Sequence, residues 1–400
     1  MTSIAEQTEN NQKYLINDWE DPKINLKNEI LRGIYAFGFE KPSSIQKQAI
    51  LPMIKKNDDG SRRDIIAQAQ SGTGKTGAFT VATLEIINSK KQETQAMILA
   101  PTHELAIQIK NVLDGLSLYL KIKTQLLIGG SSVEKDKDLL ENETPHVVIG
   151  TPGRINDLIR RRYLKTNKLS LIVLDEADEM LSAGFQEQVY NIFQFMPNNI
   201  QIGLFSATWP KELENLSQIL QNPYKILVKS DELSLKGIAQ YYINIDSDMM
   251  KYETIKDLFA TLTISQAMIY CNSVKRVEDL TEAMKADNFP VEKIHGKMPQ
   301  QERKEIFKQF KSGSCRVLIT SDLFARGIDV QQVSIVINFD IPKSVHTYLH
   351  RIGRSGRWGR KGIAINFQTK YDSYKLNKIQ EHYETKIDEL PCDYVNHLNL

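Results

Sequence analysis

The segment Ala69–Thr76, which reads AQSGTGKT, constrains the fold of this 400-residue chain more than any other. An apolar, strand-like run, Asp64–Ala67, precedes it, and a helical pattern beginning at Gly77 follows. A glycine-rich loop in that context lets backbone N–H groups wrap a phosphate at the positive end of a helix dipole. The alternative is a glycine-rich turn without a ligand. We expect Lys75 to reach the β- and γ-phosphates and Thr76 to offer its hydroxyl to Mg²⁺. The predicted phosphate-lining residues are Ala69, Gln70, Ser71, Gly72, Thr73, Gly74, Lys75 and Thr76.

Short aliphatic and β-branched runs alternate with amphipathic stretches along the whole chain. In the first half the predicted strands are Asp64–Ala67, Ala96–Ala100, Lys123–Ile128, His146–Gly150, Leu169–Leu174 and Gln201–Phe205. In the second half they are Ala267–Cys271, Val291–His295, Arg316–Thr320, Val333–Phe339 and Gly362–Phe367. Fully apolar strands that alternate with helices indicate parallel sheets covered on both faces. The sequence therefore predicts an α/β chain with two tandem parallel-sheet domains.

The domain boundary is predicted in a polar stretch, Lys229–Gln240, which is weak in both helical and strand periodicity. We expect a flexible N-terminal segment at 1–20 and a first domain at 21–230. A linker at 231–240 and a second domain at 241–400 complete the predicted organisation.

Composition limits the compartment and says little about partners. The formal net charge is only +2, so a basic surface must come from local clustering. The chain shows no signal-peptide pattern and no long apolar run, and its three cysteines lack metal-ligand spacing. These features predict a cytoplasmic protein, with a nuclear location as the alternative, and no membrane contact.

A second motif stands where an apolar run, Leu171–Leu174, ends in Asp175, Glu176, Ala177 and Asp178. Carboxylates at the C-terminal end of a parallel strand lie where α/β sheets bind ligands. We expect Asp175 to hold Mg²⁺ largely through water, and Glu176 to orient or deprotonate the attacking water. Asp178 is predicted to tie this turn to a neighbouring motif. The alternative is an ordinary acidic first turn of a helix.

The tetrapeptide D-E-A-D, together with AQSGTGKT, resembles the DEAD-box RNA helicase family. Further stretches match the family's motifs in order, from residue 38 to residue 357: GFEKPSSIQ (Gly38–Gln46), Gly129-Gly130, TPGR (Thr151–Arg154), SAT (Ser206–Thr208), ARGID (Ala325–Asp329) and HRIGRSGR (His350–Arg357). Within the family the chain is most similar to the translation initiation factor 4A group. The resemblance implies two RecA-like domains and an enzyme that hydrolyses ATP to ADP and phosphate.

The resemblance also implies roles for single residues. Gln46 would read adenine through its amide, while Phe39 would hold that segment in shape. Trp19 is the candidate for stacking on adenine, with packing on the domain surface as the alternative. The remaining implied roles are Asp329 at the ribose, Arg354 and Arg357 on the phosphates, His350 as the link to RNA, and Ser206 and Thr208 as coupling residues.

RNA binding is expected from a basic stretch, Lys343–Lys361, with six Lys or Arg and no Asp or Glu. Aromatic residues are sparse there, which favours backbone contacts and low sequence specificity over base stacking. The predicted RNA-binding residues are Pro101, Thr102, Gly130, Thr151, Arg154, Thr320 and Arg326. One departure from the family is His103, where the family has Arg; we expect weaker and more pH-dependent RNA affinity.

These features predict an ATP-dependent RNA helicase that unwinds short duplexes locally and acts as a translation-initiation-type factor. The alternative is an ATP-gated RNA clamp in a ribonucleoprotein assembly; a DNA motor is disfavoured. Because the two domains use nearly the whole chain, a protein scaffold of helical-repeat type is the expected partner. The protein is expected to be a monomer.

Overall fold

The computed structural model describes residues 14–69, 72–182, 184–226, 238–262, 264–322, 333–355 and 362–394. Within it the chain divides into two compact units, Met1–Val228 and Lys229–Leu400. Each unit is built on its own parallel sheet of seven described strands. The predicted fold class, tandem parallel-sheet domains of RecA-like type, is confirmed. None of the helices in the described ranges is long and apolar enough to cross a membrane.

The first unit alternates strands and helices along the chain. Its strands are β1 Ile65–Gln68, β2 Ala96–Leu99, β3 Thr124–Leu127, β4 Val147–Gly150, β5 Leu171–Leu174, β6 Gln201–Ser206 and β7 Tyr224–Ile226. Its helices are α1 Asn28–Ala36, α2 Ser44–Ile54, α3 Lys75–Ile86, α4 His103–Leu116, α5 Val133–Glu143, α6 Pro152–Arg160, α7 Ala177–Ser182, α8 Gln186–Gln194 and α9 Lys211–Ser217. The strand order across the sheet is β3-β4-β2-β5-β6-β1-β7.

Alternate residues of each central strand pack on opposite faces of this sheet. Ile65 and Ala67 of β1 belong to one apolar cluster, whereas Ile66 belongs to the other. Since successive side chains in a strand point to opposite faces, a strand covered on both sides needs a continuous apolar run. This requirement explains why the central strands could be predicted from composition.

The second unit repeats this design. Its strands are β8 Ile238–Asn244, β9 Ala267–Tyr270, β10 Val291–Ile294, β11 Val317–Thr320, β12 Ile335–Asn338, β13 Gly362–Gln368 and β14 Asp388–Glu389. Its helices are a 3₁₀ turn at Asp248–Met250, then α10 Lys251–Thr261, α11 Val274–Ala286, α12 Gln300–Lys311, α13 Val345–Ile352 and α14 Ser373–Tyr383. The strand order is β10-β11-β9-β12-β13-β8-β14.

Two predicted boundaries need correction. The last three residues of the predicted linker, 238–240, belong to β8, which pairs with β13 from Ile238 onward. Residues 231–237 of that linker lie outside the described ranges. The N-terminal segment predicted to be flexible is packed from residue 14 onward, because Ile16 and Trp19 are buried and the Ile16 N–H donates to the Lys47 carbonyl. Residues 1–13 are also outside the described part.

Candidate functional site

The predicted site residues of the first unit follow the C-terminal ends of its strands. All strands of this sheet run parallel, so these ends lie along one edge. The predicted nucleotide residues follow β1 and β5, and SAT closes β6. The predicted RNA residues follow β2, β3 and β4, which are neighbours on the other side of β5. The sheet order therefore separates the two sets of predicted residues, and we call the two parts of the edge the nucleotide half and the RNA half after those predictions.

The phosphate loop connects β1 to α3. Gly72 and Gly74 have φ values of 83° and 103°, a left-handed region that favours glycine. Gly74 precedes α3, and Lys75 and Thr76 are the first two residues of that helix. The Ala69 N–H donates to the Ser206 carbonyl at 2.9 Å, which joins the loop to the end of β6. Gln70 and Ser71 lie outside the described residues.

Lys75 and Glu176 form a buried ion pair, with Lys75 Nζ 3.3 Å from Glu176 Oε1. Glu176 follows directly on Asp175 at the end of β5 and has a φ of 49°. A non-glycine residue in this region carries backbone strain, which persists where the surrounding structure holds it and is frequent at functional sites. The pair brings together the two charged residues that were predicted for phosphate binding and for activation of water.

Asp175 is the carboxylate predicted to hold the metal. It is buried, and its Oδ1 accepts the Glu176 N–H at 3.0 Å. Burial raises the pKa of Asp175 to about 7, although the nearby Lys75 cation opposes that rise. A buried carboxylate with this pKa lies where additional positive charge would be stabilising.

Asp178, in the first turn of α7, is connected to the segment after β6. The Thr208 hydroxyl donates to Asp178 Oδ2, and the Ser206 hydroxyl donates to the Thr208 carbonyl. All three side chains are buried. A hydrogen bond thus joins the turn after β5 to the SAT segment, two stretches 30 residues apart.

Gln46 lies against the phosphate loop. Its amide oxygen accepts the Ser43 N–H at 2.8 Å, which completes a capping box at the start of α2, and its amide nitrogen donates to the Gly74 carbonyl at 3.2 Å. Phe39 also packs here, because a Cβ on Gly77 would lie 3.0 Å from its ring. The structure thus places Gln46 in direct contact with Gly74, the residue that precedes α3.

Trp19 is not available as an adenine platform in this structure. Its side chain is only 1% exposed and stacks on Phe39, with ring centroids 6.3 Å apart and planes at 14°. An adenine could reach the ring only after this packing opened. This geometry fits the packing alternative, and stacking on adenine stays a prediction.

Several predicted RNA residues form the starts of helices on the RNA half of the edge. Pro101 and Thr102 separate β2 from α4, and the Thr102 hydroxyl accepts the Leu105 N–H at 3.2 Å. Thr151 directly precedes α6, and Gly130 has a φ of 81° in the turn after β3. Helix starts present N–H groups, which suit contacts to phosphate.

His103 is the first residue of α4 and is half-buried. Its Nε2 lies 3.3 Å from the position a Cβ on Gly129 would take, so the imidazole borders the Gly129-Gly130 turn. The one departure from the family pattern in this region therefore sits between two predicted RNA-contacting loops.

Arg154, a predicted RNA-binding residue, is engaged within the first unit. Its guanidinium forms a buried ion pair with Asp136 and donates to the Ser131 carbonyl at 2.7 Å. In this structure the side chain therefore braces the turn before α5, and its contact with RNA stays a prediction.

In the second unit, Thr320 ends β11 and is fully buried, with its hydroxyl donating to the Ser321 carbonyl at 3.0 Å. The Thr320 hydroxyl is thus withdrawn from the surface in this structure, and its contact with RNA stays a prediction. The half-buried Ser321 is the next hydroxyl along the chain. His350 lies in α13, and Arg354 Nε donates to its carbonyl at 3.1 Å. Arg326, Asp329 and Arg357 lie outside the described residues.

Sequence reasoning missed Arg351, which is fully buried. It pairs with Asp322 at 2.5 Å and donates to Asn272 and to the Asp340 carbonyl, each at 2.7 Å. Arg351 therefore connects the ends of β9, β11 and β12. The basic stretch Lys343–Lys361 consequently contributes less surface charge than its composition suggests. The arginines of HRIGRSGR could be recognised as cations from the sequence, but the partner of each could not be assigned.

Comparison with known proteins agrees with this geometry. The family model described as DEAD/DEAH box helicase matches residues 43–216, and the one described as helicase conserved C-terminal domain matches residues 250–359. The chain is 49% identical over 386 residues to "ATP-dependent RNA helicase eIF4A" of Scheffersomyces stipitis, which covers 96% of this chain and 95% of that relative. It is 50% identical to the protein of the same name in Pyricularia oryzae, covering 97% and 96%. A solved structure of S. cerevisiae Dbp5 bound to RNA and ADP BeF3 is 35% identical, with a TM-score of 0.86 over 94% of this chain and 96% of that one.

Proposed function

This chain belongs to the DEAD-box helicase family, and from that premise we propose how its residues perform the reaction. It is an ATP-dependent RNA helicase of the eIF4A type. The observation that carries the proposed mechanism is the buried ion pair between Lys75 and Glu176.

ATP binding would exchange the partner of Lys75. The phosphates of ATP, held by the N–H groups of the glycine loop, offer Lys75 a more highly charged anion than Glu176 does. Glu176 then becomes available to accept a hydrogen bond from the attacking water. The water oxygen attacks the γ-phosphorus, the bond to the bridging oxygen breaks, and ADP leaves while Glu176 takes the proton.

Mg²⁺ fits the donors at this end of the sheet. The Asp175 carboxylate and the Thr76 hydroxyl supply the hard oxygen ligands that Mg²⁺ prefers, largely through water. The raised pKa of Asp175, caused by burial, indicates that a cation is favourable there. When bound, Mg²⁺ would neutralise charge on the β- and γ-phosphates.

Gln46 would recognise adenine while holding the phosphate loop. Its amide nitrogen has two hydrogens and its amide oxygen two lone pairs, of which Gly74 and Ser43 each use one. The remaining hydrogen and lone pair suffice for two-point recognition of adenine. Base recognition and loop position would then be connected through one side chain. Asp329 is proposed to bind the ribose.

RNA is proposed to contact the N–H groups and side chains at the ends of β2, β3 and β4 through its backbone, with little sequence preference. The phosphate-contacting arginines, Arg354 and Arg357, belong to the other unit of the chain. Hydrolysis would therefore require the two units to close on ATP and RNA together, and closure would disrupt a few base pairs. His350 would connect the phosphate end to RNA.

We also propose a partner and a cellular location for this protein. A helical-repeat scaffold that binds the monomeric helicase would select its RNA. A factor of the eIF4A type would act in the cytoplasm, where translation is initiated.

The proposed mechanism is tested by Glu176→Gln, with release of phosphate from ATP measured with and without single-stranded RNA. We expect RNA-stimulated release to fall by about 10²-fold or more because general base catalysis is lost. The matched control is Glu187→Gln, the same change at an exposed residue of α8, which should behave as wild type. Unchanged release by Glu176→Gln would contradict the assignment and would favour a different base.

A further inference from the structure

The first unit contains a cavity of about 520 Å³ at the far end of α3 from the phosphate loop. Glu85 and Ile86, at the C-terminal end of α3, form part of its lining. Lys75, at the other end, is 11 residues away, which corresponds to about 16 Å along a helix. The cavity is therefore separate from the predicted nucleotide site.

Three cations line this cavity: Lys23, Lys55 and Arg62. Lys23 Nζ donates to the Leu15 carbonyl at 3.0 Å, and Arg62 Nε donates to the Ile54 carbonyl at 3.3 Å. Lys55 Nζ lies 5.1 Å from the centroid of the Tyr14 ring. Among the residues that the structure describes, none of the three has a carboxylate within ion-pair distance.

Glu85 is the one carboxylate of the lining, and it is engaged by Lys27. The Lys27 N–H donates to Glu85 Oε2 at 3.0 Å, and Lys27 Nζ lies 3.9 Å from Glu85 Oε1. Burial lowers the pKa of Arg62, and Glu85 offsets that effect only in part. The guanidinium is therefore partly removed from water without a full counter-charge, an arrangement that is more frequent at binding sites than elsewhere.

A cavity of the second unit shows the contrasting case. It measures about 530 Å³ and is lined by Lys251, Arg276 and Lys375 among other residues. Lys251 pairs with Asp340 at 3.1 Å, Arg276 with Asp248 at 2.7 Å, and Lys375 with Asp372 at 2.8 Å. Within the described part of the chain, three of its four lining cations are thus paired with carboxylates, Lys370 being the exception, whereas none of the three in the first unit is.

The rest of the lining in the first unit is aliphatic. Ile24 and Leu51 are buried, and Ile54 and Ile86 are half-buried. Three cations and one carboxylate leave a lining charge of +2, which a phosphate monoester dianion would neutralise. An arginine fork with two lysines suits phosphate geometry, and the aliphatic wall suits an apolar group attached to it.

We propose that this cavity binds a small organic phosphate, with the phosphate on Lys23, Lys55 and Arg62 and the apolar part on the aliphatic wall. The site lies outside the nucleotide and RNA motifs, so it is independent of the mechanism proposed above.

The test is calorimetric titration of the full chain, saturated with ADP, with 1-naphthyl phosphate. We expect binding, and we expect Lys55→Gln and Arg62→Gln each to weaken it by about tenfold, since each removes a charged hydrogen-bond donor. Lys56→Gln removes the same charge one residue along the chain, outside the lining, and should change the affinity by less than about twofold. 1-Naphthol, which lacks the phosphate, should bind much more weakly.

Absence of binding would overturn the proposal, as would an equal loss for Lys55→Gln and Lys56→Gln. Displacement of 1-naphthyl phosphate by a short single-stranded RNA would also overturn it, because the cations would then belong to an RNA-binding surface.

Discussion

At the scale of single residues, Asp175 shows a conflict between stability and function. Burial raises its pKa to about 7, whereas an unfolded aspartate ionises near 4. Between these values the unfolded chain releases the proton first, so the folded state is progressively destabilised as pH rises through this window. Retaining this buried carboxylate, the group proposed to hold Mg²⁺, therefore costs folding free energy at neutral pH.

Asp175→Asn should remove this cost while keeping the acceptor for the Glu176 N–H. Without nucleotide and Mg²⁺, we expect the free energy of unfolding in urea to rise by on the order of 1–3 kcal/mol at about pH 8 and by less at about pH 5.5. The control is Asp138→Asn, at an exposed position of α5, which should show no such pH-dependent gain. An equal gain for Asp175→Asn at both pH values would rule out this explanation.

What the sequence could predict about the site residues, and what it could not, has a physical reason. The proximity of Lys75 and Glu176 could be expected, because both follow the C-terminal ends of parallel strands in one sheet. The partners of Arg154 and Trp19, which are Asp136 and Phe39, are set by tertiary packing. No local pattern in the sequence distinguishes an arginine that faces solvent from one that pairs with a carboxylate 18 residues away.

At the scale of elements, the strands that sequence reasoning missed lie at or beside sheet edges. β7 and β14 are edge strands, and β8 is next to β14. β8 is mostly half-buried and β14 is exposed, so neither carries the continuous apolar run of a central strand. The central strands, by contrast, were predicted to within one or two residues at most ends.

The hydrogen bond from Thr208 to Asp178 joins the segment after β6 to α7, and its role can be tested by mutation. Thr208→Val keeps the shape of the side chain but removes the hydroxyl that donates to Asp178. Because the same segment also contacts the phosphate loop at Ala69, we expect duplex unwinding to fall more than RNA-stimulated hydrolysis. Thr208→Ser restores the donor and should recover unwinding in a strand-displacement assay. Equal loss of both activities in Thr208→Val, or no recovery in Thr208→Ser, would argue against a coupling role.

At the scale of the whole molecule, the sequence predicted two domains and assigned the motifs to them, and the structure has two compact units. It could not predict how the charges of the second unit are used, because Arg351 and Arg354 look alike in the sequence. Their contacts differ: Arg351 is held by Asp322, whereas Arg354 Nε donates to the His350 carbonyl of α13.

We propose that ATP hydrolysis needs Arg354 of the second unit as well as Lys75 and Glu176 of the first. The most direct test of this claim is RNA-stimulated phosphate release by full-length Arg354→Gln, with ATP affinity and thermal stability measured on the same sample. We predict a fall of about 10³-fold in release, the scale on which an arginine stabilises phosphoryl transfer, with ATP affinity and stability close to those of the wild type. Release within about tenfold of the wild-type rate would contradict the claim, because the first unit would then hydrolyse ATP without the arginine of the second.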